Sequence, residues 1–381
     1  MSGANHHTQG VPFFSGATTM RRDWPVLEPR IREIAASGRF TSGVWAERLE
    51  QELCEYTGAK HVIVVGNGTD ALIMMLRAAG IRPGDEVIVP AYSFFATASS
   101  VLHAGATPVM VDVLPGSYAL DPDQVEAAIT GRTRAILAVH LFSQLAPMVE
   151  LAEVAERHGL LLLEDGAEGI GMWQGGVHAG LFGTAGALSF FPTKTLGALG
   201  DAGAVLTDDD EVAARVRRLR RHGQTTDDGH EYQDLGYNSR CDEIEAAVLV
   251  TRLAHLDDDV ERRRVLAQRY TQRLAEVVET PYLAPAKGDG GLTFSVYLIE
   301  TDRRDELAEF LAGYGVGTKV YYPRPVPREP ALAHLARHPV PVAEAAATRA
   351  LALPLYPDLA AEQVDHVADL VRDCHDPRRA R

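Results

Sequence analysis

The sequence predicts an α/β fold: a mainly parallel sheet with helices on both faces. Two observations carry that expectation. From about residue 60 to 206, short apolar runs alternate with stretches of helical pattern. Turn-forming clusters punctuate the alternation, at Arg82–Asp85, Leu114–Ser117 and Gly131–Thr133.

In order, His61–Val65, Glu86–Val89, Thr107–Val111, Ala135–Val139 and Leu160–Leu163 read as strands. Between them Thr69–Ala79, Phe94–His103, Asp123–Ile129 and Met148–His158 read as helices. Gly186–Phe190 and Gly203–Leu206 close the region as two more strands. A charged helix, Glu211–Arg221, then precedes a polar loop, Gln224–Asp234. One long helix is expected from about Asp242 towards Val278, with an apolar stripe through Ile244, Val248, Leu253 and Leu256. Beyond it lie a strand Thr293–Glu300, a helix Arg303–Ala312, a strand Gly317–Val320 and a last helix near Ala361–Arg372.

At 381 residues the chain exceeds the usual ~100–200 residues of one domain. The division expected is an N-terminal segment 1–45 packing on the body, a large domain 46–250, and a linking helix with a small domain 251–381. A formal net charge of −15 argues against duplex nucleic acid or an anionic membrane as partner, since both demand a basic surface. No apolar run reaches the ~18 residues of a membrane span, and the start is polar, unlike a signal peptide. Cys54, Cys241 and Cys374 are scattered, with no metal or cluster spacing, which suits a reducing cytoplasm. His6 and His7 read as part of a frayed tail rather than a metal site.

Ligands of such sheets bind beyond the carboxyl ends of the strands, and polar residues gather at three of those ends. After His61–Val65 comes Gly66-Asn67-Gly68-Thr69-Asp70, opening a helix. Glycines there admit a ligand to the backbone, and free N–H groups suit a phosphate; a plain N-cap would look the same. After Leu160–Leu163 comes Glu164-Asp165-Gly166-Ala167-Glu168. Acids at the end of an apolar strand need cationic partners, unless they cap a helix or hold a metal. After Gly186–Phe190 comes Phe191-Pro192-Thr193-Lys194, whose lysine alone could be an ordinary surface residue. Together a phosphate cradle, an acid and a lysine on one sheet edge make the set that pyridoxal 5′-phosphate (PLP) requires. Its phosphate wants helix N–H groups, its ring nitrogen a carboxylate, and its aldehyde an amine.

These blocks resemble the DegT/DnrJ/EryC1/StrS family, as do Pro83-Gly84-Asp85-Glu86-Val87-Ile88-Val89-Pro90, Gly236-Tyr237-Asn238-Ser239-Arg240 and Leu353-Pro354-Leu355-Tyr356-Pro357. The resemblance runs from about residue 12 to 370. It implies the aspartate-aminotransferase fold (PLP-dependent fold type I), with a large domain on a mainly parallel mixed sheet and a smaller C-terminal α/β domain. It implies Lys194 as the lysine that binds the cofactor and moves protons, and Asp165 as the acid on the ring nitrogen. Gly68, Thr69 and Ser189 resemble phosphate ligands, and Phe94 the aromatic stacked on the ring. Glu168 stands where the family often has Gln beside the cofactor's 3′-oxygen. Asn238 resembles an asparagine lent to the phosphate by the neighbouring subunit of a homodimer with shared sites. Tyr321 lies in a loop resembling one that contacts substrate, at a position where some relatives have His. Ser143 and Leu145 replace a common Gly and Pro, and Thr193 a small residue.

The activity implied is transamination between PLP and PMP forms. An amino acid, L-glutamate by analogy, gives its amino group, and a nucleotide-linked keto-hexose of deoxyamino-sugar biosynthesis receives it. A keto-cyclitol is the alternative acceptor. A PLP-dependent sugar dehydratase is disfavoured by the presence of Lys194, and a non-catalytic regulator by the intact Lys194 and Asp165. Lys319, Arg324 and Arg240 are the cations expected to meet a substrate diphosphate against the adverse net charge.

Overall fold

Residues 10–225, 230–281 and 292–376 are described by the computed structural model. His6, His7 and the middle of the polar loop lie outside them. Two helices come first, α1 (Ala17–Ser37) and α2 (Val44–Thr57). Then strands and helices alternate as β1 (His61–Val65), α3 (Gly68–Ala78), β2 (Glu86–Pro90), α4 (Phe95–His103) and β3 (Thr107–Val111). The alternation continues through α5 (Pro122–Ala128), β4 (Thr133–Val139), α6 (Met148–His158) and β5 (Leu161–Asp165). A hairpin of β6 (Trp173–Gln174) and β7 (Val177–His178) precedes β8 (Ala185–Ser189), β9 (Gly203–Thr207) and α7 (Asp210–Leu219). After α8 (Glu243–Leu253) and α9 (Leu256–Leu274) come β10 (Tyr297–Glu300), α10 (Arg304–Gly313), α11 (Pro341–Arg349), β11 (Ala350–Leu353) and α12 (Ala361–His375).

Seven strands form one sheet in the order β1-β9-β8-β5-β4-β2-β3. β9 runs antiparallel to both its neighbours and the other pairings are parallel, so the remaining strands all end on one edge. The strand interiors are apolar because both faces are covered. In β1, Ile63 and Val65 enter a core with Leu72 of α3, Val101 of α4 and Val216 of α7. Val62 and Val64 face the other way, against Leu53 of α2 and Leu249 of α8. A separate core joins α9, α10 and α12 to the β10–β11 pair.

Four expectations need correction. The long helix from Asp242 is two helices, broken at Ala254 and His255. Asp257, Asp258 and Asp259 fill the first turn of α9, where three negative charges favour a new N-terminus. Gly317–Val320 is no strand: Lys319 makes a single bridge to Ala352. The strand expected from Thr293 begins only at Tyr297. Finally, Glu164 and Asp165 do not follow β5 but end it. Adjacent strand residues face opposite sides, which separates their roles below. The N-terminal segment, left without elements by the sequence, is largely helical. Its α1 contains Pro25 and Pro29. Buried Glu243 accepts from the N–H groups of Gly43 (2.9 Å), Trp45 (2.9 Å) and Ala46 (3.1 Å), tying α2 to α8.

Glu86, at the start of β2, is a buried acid with three donors. Thr130 Oγ1, Arg132 Nη2 and Arg337 Nη1 each approach it to 2.6 Å. Burial pushes its carboxyl up, but the bonds from Thr130, Arg337 and Arg132 outweigh that and hold it down at about 2. A depressed carboxyl adds stability above its unfolded value, and the gain disappears as pH falls through the folded one. Glu86→Gln should therefore cost on the order of 1.5–3 kcal/mol at pH 7. The difference from the parent should shrink between about pH 4.5 and 2. Urea unfolding across that range checks the sign; a pH-independent difference contradicts it.

Candidate active site

One pocket of about 550 Å³ opens at the edge where the parallel strands end. The ends of β1, β2, β4, β5 and β8 contribute to it. Beyond β1, Asn67 caps α3 by accepting from the Asp70 N–H at 2.8 Å. The N–H groups of Gly68 and Thr69 are left without an intrahelical acceptor. Gly68 is needed there, since a Cβ would lie 2.7 Å from Ser189 Cβ and 2.9 Å from its hydroxyl. Helix N–H groups and the Ser189 hydroxyl thus form a cradle at one end of the pocket.

Asp165 ends β5, in register with Val139 of β4 and Ala187 of β8. Its Oδ2 accepts from Thr97 Oγ1 at 2.7 Å and its Oδ1 from the Ala167 N–H at 3.2 Å. Thr97 spends its only proton on Asp165, so the 2.8 Å contact with Ser93 is donated by Ser93. Burial raises the Asp165 carboxyl, more than Thr97, Ala167 and the nearby Lys194 charge lower it. Such a carboxylate calls for a cationic partner.

Glu164, one residue earlier, faces away. Its carboxylate accepts from Gly180 N (2.7 Å), Gly183 N (2.8 Å) and His140 Nε2 (2.9 Å). His140 Nδ1 accepts from the Ala146 N–H at 3.1 Å, which leaves the ring proton on Nε2 and the imidazole neutral. His140 follows β4 directly and lines the pocket.

Lys194 sits in the turn after β8, its backbone N–H bonded to Phe191 O at 2.8 Å. Its Nζ lies 2.9 Å from Glu168 Oε1. Glu168 Oε2 accepts from the Phe142 N–H at 2.6 Å and from Ser295 Oγ at 3.0 Å. Burial pushes this carboxyl up, but Lys194, the Phe142 N–H and the Ser295 hydroxyl prevail and hold it below the usual range.

Phe94 and Tyr321 also line the pocket, and Tyr322 bridges them, 6.2 Å from Phe94 and 5.5 Å from Tyr321 between ring centres. The pocket therefore gathers Gly68, Thr69, Phe94, Asp165, Glu168, Ser189, Lys194 and Tyr321. Asn238, Arg240, Lys319 and Arg324 do not line it. Sequence reasoning missed His140, Ser295, Tyr322 and Phe13. His140 carried the same positional signal as Asp165, a polar residue at the end of an apolar strand. Ser295 and Phe13 arrive from distant segments with no local signal. The donor set fits PLP: N–H groups and a hydroxyl at one end, a carboxylate in need of a cation, and a primary amine.

A family model described as the DegT/DnrJ/EryC1/StrS aminotransferase family matches residues 27–372. The chain belongs to that family. It is an aminotransferase whose cofactor is PLP. It is similar to a protein of Geobacillus stearothermophilus named "Pleiotropic regulatory protein", 45% identical, covering 91% of this chain and 95% of that one. It also resembles the dTDP-3-amino-3,4,6-trideoxy-alpha-D-glucose transaminase of Streptomyces venezuelae, 41% identical over 96% of each chain. Among solved structures, S. venezuelae DesV superimposes with a TM-score of 0.92 at 40% identity, covering 97% of this chain and 99% of that one.

Proposed function

We propose that this aminotransferase moves an amino group from an amino acid, L-glutamate, to a nucleotide-linked keto-hexose in deoxyamino-sugar biosynthesis. The carrying observation is the convergence of Lys194, Asp165 and the Gly68–Thr69–Ser189 cradle on one pocket. The S. venezuelae transaminase, by its name, works on a dTDP-linked sugar, which supports the acceptor class. The regulatory name of the Geobacillus relative favours a second reading, a protein that binds without turnover. The complete lysine, acid and cradle support catalysis instead.

When bound, PLP supplies an electron sink and a carrier for the amino group. The chain's own residues supply the rest. Gly68, Thr69 and Ser189 would hold the phosphate, Asp165 would pair with the ring nitrogen, Phe94 would cover the ring, and Glu168 would stand near the 3′-oxygen. Lys194 takes and returns the substrate proton. Tyr321 meets the acceptor. We further propose a body 46–250 that carries the cofactor and a small domain 251–381, supported by the separate core around α9 and α12. Among the described N-terminal residues, Ile34 of α1 packs on the body with Leu49 and Leu53, whereas Val11 pairs with Val316 and Thr19 donates to Asp358 of the small domain. No described helix is long and apolar enough to cross a membrane, and we place the protein in the cytoplasm.

Asn238 is exposed and outside its own chain's pocket. That position suits a homodimer in which Asn238 of the partner subunit completes the phosphate cradle. Co-expressing Lys194→Ala with Asn238→Ala should then give mixed dimers with one undamaged site and measurable activity. Mixed dimers no better than their parents, with Asn238→Ala itself impaired, rule out shared sites.

Lys319 and Arg324 are exposed, and among the described residues Arg324 has only a loose 3.8 Å contact with Glu329. Arg240 donates to Asn238 Oδ1 at 2.5 Å, while its buried Nε has no acceptor among the described residues. If the acceptor carries a diphosphate, removing the cation that meets it should raise the acceptor KM by the equivalent of about 1.5–3 kcal/mol. The glutamate half-reaction should be spared. Measuring both half-reactions for Lys319→Ala, Arg324→Ala and Arg240→Ala tests the substrate class. An unchanged acceptor half-reaction in all three turns the assignment to a keto-cyclitol.

A further inference from the structure

Glu168 divides its two oxygens between different tasks. Oε2 is fixed by the scaffold, through the Phe142 N–H and the Ser295 hydroxyl. Oε1 is given wholly to Lys194 Nζ. The single Ser295 hydroxyl proton serves Glu168, while the Ser295 N–H donates to Phe142 O at 3.0 Å, so the two anchors brace each other. A glutamine could serve both anchors with its carbonyl oxygen. Its amide nitrogen would then face the lysine, donor against donor. What the carboxylate adds over the amide is therefore an acceptor and a negative charge for Lys194.

We propose that Glu168 is the positioning residue for the free lysine. Whenever Lys194 is not joined to the cofactor, Glu168 receives its ammonium and keeps it at the reacting edge of the pocket. This goes beyond a contact to the cofactor's 3′-oxygen, and it rests on the reading of Lys194 as the cofactor lysine. The surroundings agree with a fixed charge at Glu168. Buried Arg263 of α9 stands behind Ser295, its Nη1 3.5 Å from Ser295 O and 3.0 Å from Leu355 O. Its positive charge acts on Glu168. Asp165, Tyr321 and Tyr322 are the other ionisable groups facing the pair, and Asp201 lines the same pocket.

The test uses the full chain freed of cofactor, trace-acetylated with acetic anhydride at one pH and mapped by peptide. Lys319, which is exposed, serves as internal reference. In Glu168→Gln, Lys194 should acetylate faster relative to Lys319 by about tenfold, the factor carried by a charge-assisted hydrogen bond of ordinary strength. The thermal midpoint should stay near that of the parent, because both anchors persist. An unchanged ratio overturns the proposal. If the variant does not fold, the parent protein decides. With ¹⁵N-lysine, a protected ammonium signal is expected that disappears in Lys194→Ala; its absence overturns the proposal equally. Borohydride fixation of PLP in the parent separates the two ideas. Label on another lysine removes the reading of Lys194, whereas label on Lys194 with an unchanged acetylation ratio removes only the role of Glu168.

Discussion

Lys194→Ala should abolish transamination, with a loss on the order of 10⁴-fold, because one side chain both binds the cofactor and moves the proton. Nothing else in the pocket can replace it. His140 is neutral and committed to Glu164 and the Ala146 N–H. Glu168 lacks an amine, and no other lysine lines the pocket among the described residues. The loss should be chemical rather than structural, since the Lys194 side chain is partly exposed and bonds only to Glu168 among the described residues. Far-ultraviolet circular dichroism should be unchanged, while the visible absorbance of lysine-bound cofactor disappears. In the parent protein, borohydride reduction and peptide mapping should place the pyridoxyl group on Lys194. Recovery of that group on Lys60, Lys287 or Lys319 would falsify the assignment.

The parts of this site differ in how far the sequence betrays them. Lys194, Asp165 and Gly68 are legible because strand ends are legible: an apolar run stops, and a polar residue stands where the sheet edge must be. β1, β2 and β3 are found for the same reason, with apolar side chains on both faces. The partners of those residues are not legible. Ser295 reaches Glu168 across 127 positions, and Thr97 reaches Asp165 across 68. No local period announces either contact. Helix boundaries fail differently. The apolar stripe through Leu253 and Leu256 continues across His255, so periodicity alone joins α8 to α9, although the run of Asp257, Asp258 and Asp259 marks a helix start. In α1, Pro25 and Pro29 each remove a backbone donor and speak locally against a helix. Tertiary contacts override them: Asp358 accepts from Thr19 N at 2.7 Å and Thr19 Oγ1 at 2.8 Å in the first turn, and Asp23 is buried beside Arg252.

Asp165→Asn should lose turnover by about 10²–10³-fold, the scale of one preorganised electrostatic contact to the reacting group. The cofactor should still bind. The phosphate cradle and Lys194 are untouched, and the amide fits the existing bonds. Its oxygen can accept from the Ala167 N–H, and its NH₂ can donate to Thr97, whose proton then turns to Ser93. What the amide cannot do is offer a negative charge to a protonated ring nitrogen, so the electron sink weakens. Stability should move the opposite way. Burial raises the Asp165 carboxyl in the cofactor-free protein. The folded state then pays for ionising it, a penalty absent below the unfolded carboxyl value and complete above the raised folded one. Cofactor-free Asp165→Asn should therefore melt higher than the parent at pH 7, with the gap closing as the pH falls to the acid range. A merely structural Asp165 would make the variant less stable and less active together. Higher stability with nearly absent turnover is the outcome that fits a carboxylate kept for the cofactor, whereas near-parental turnover removes Asp165 from the chemistry.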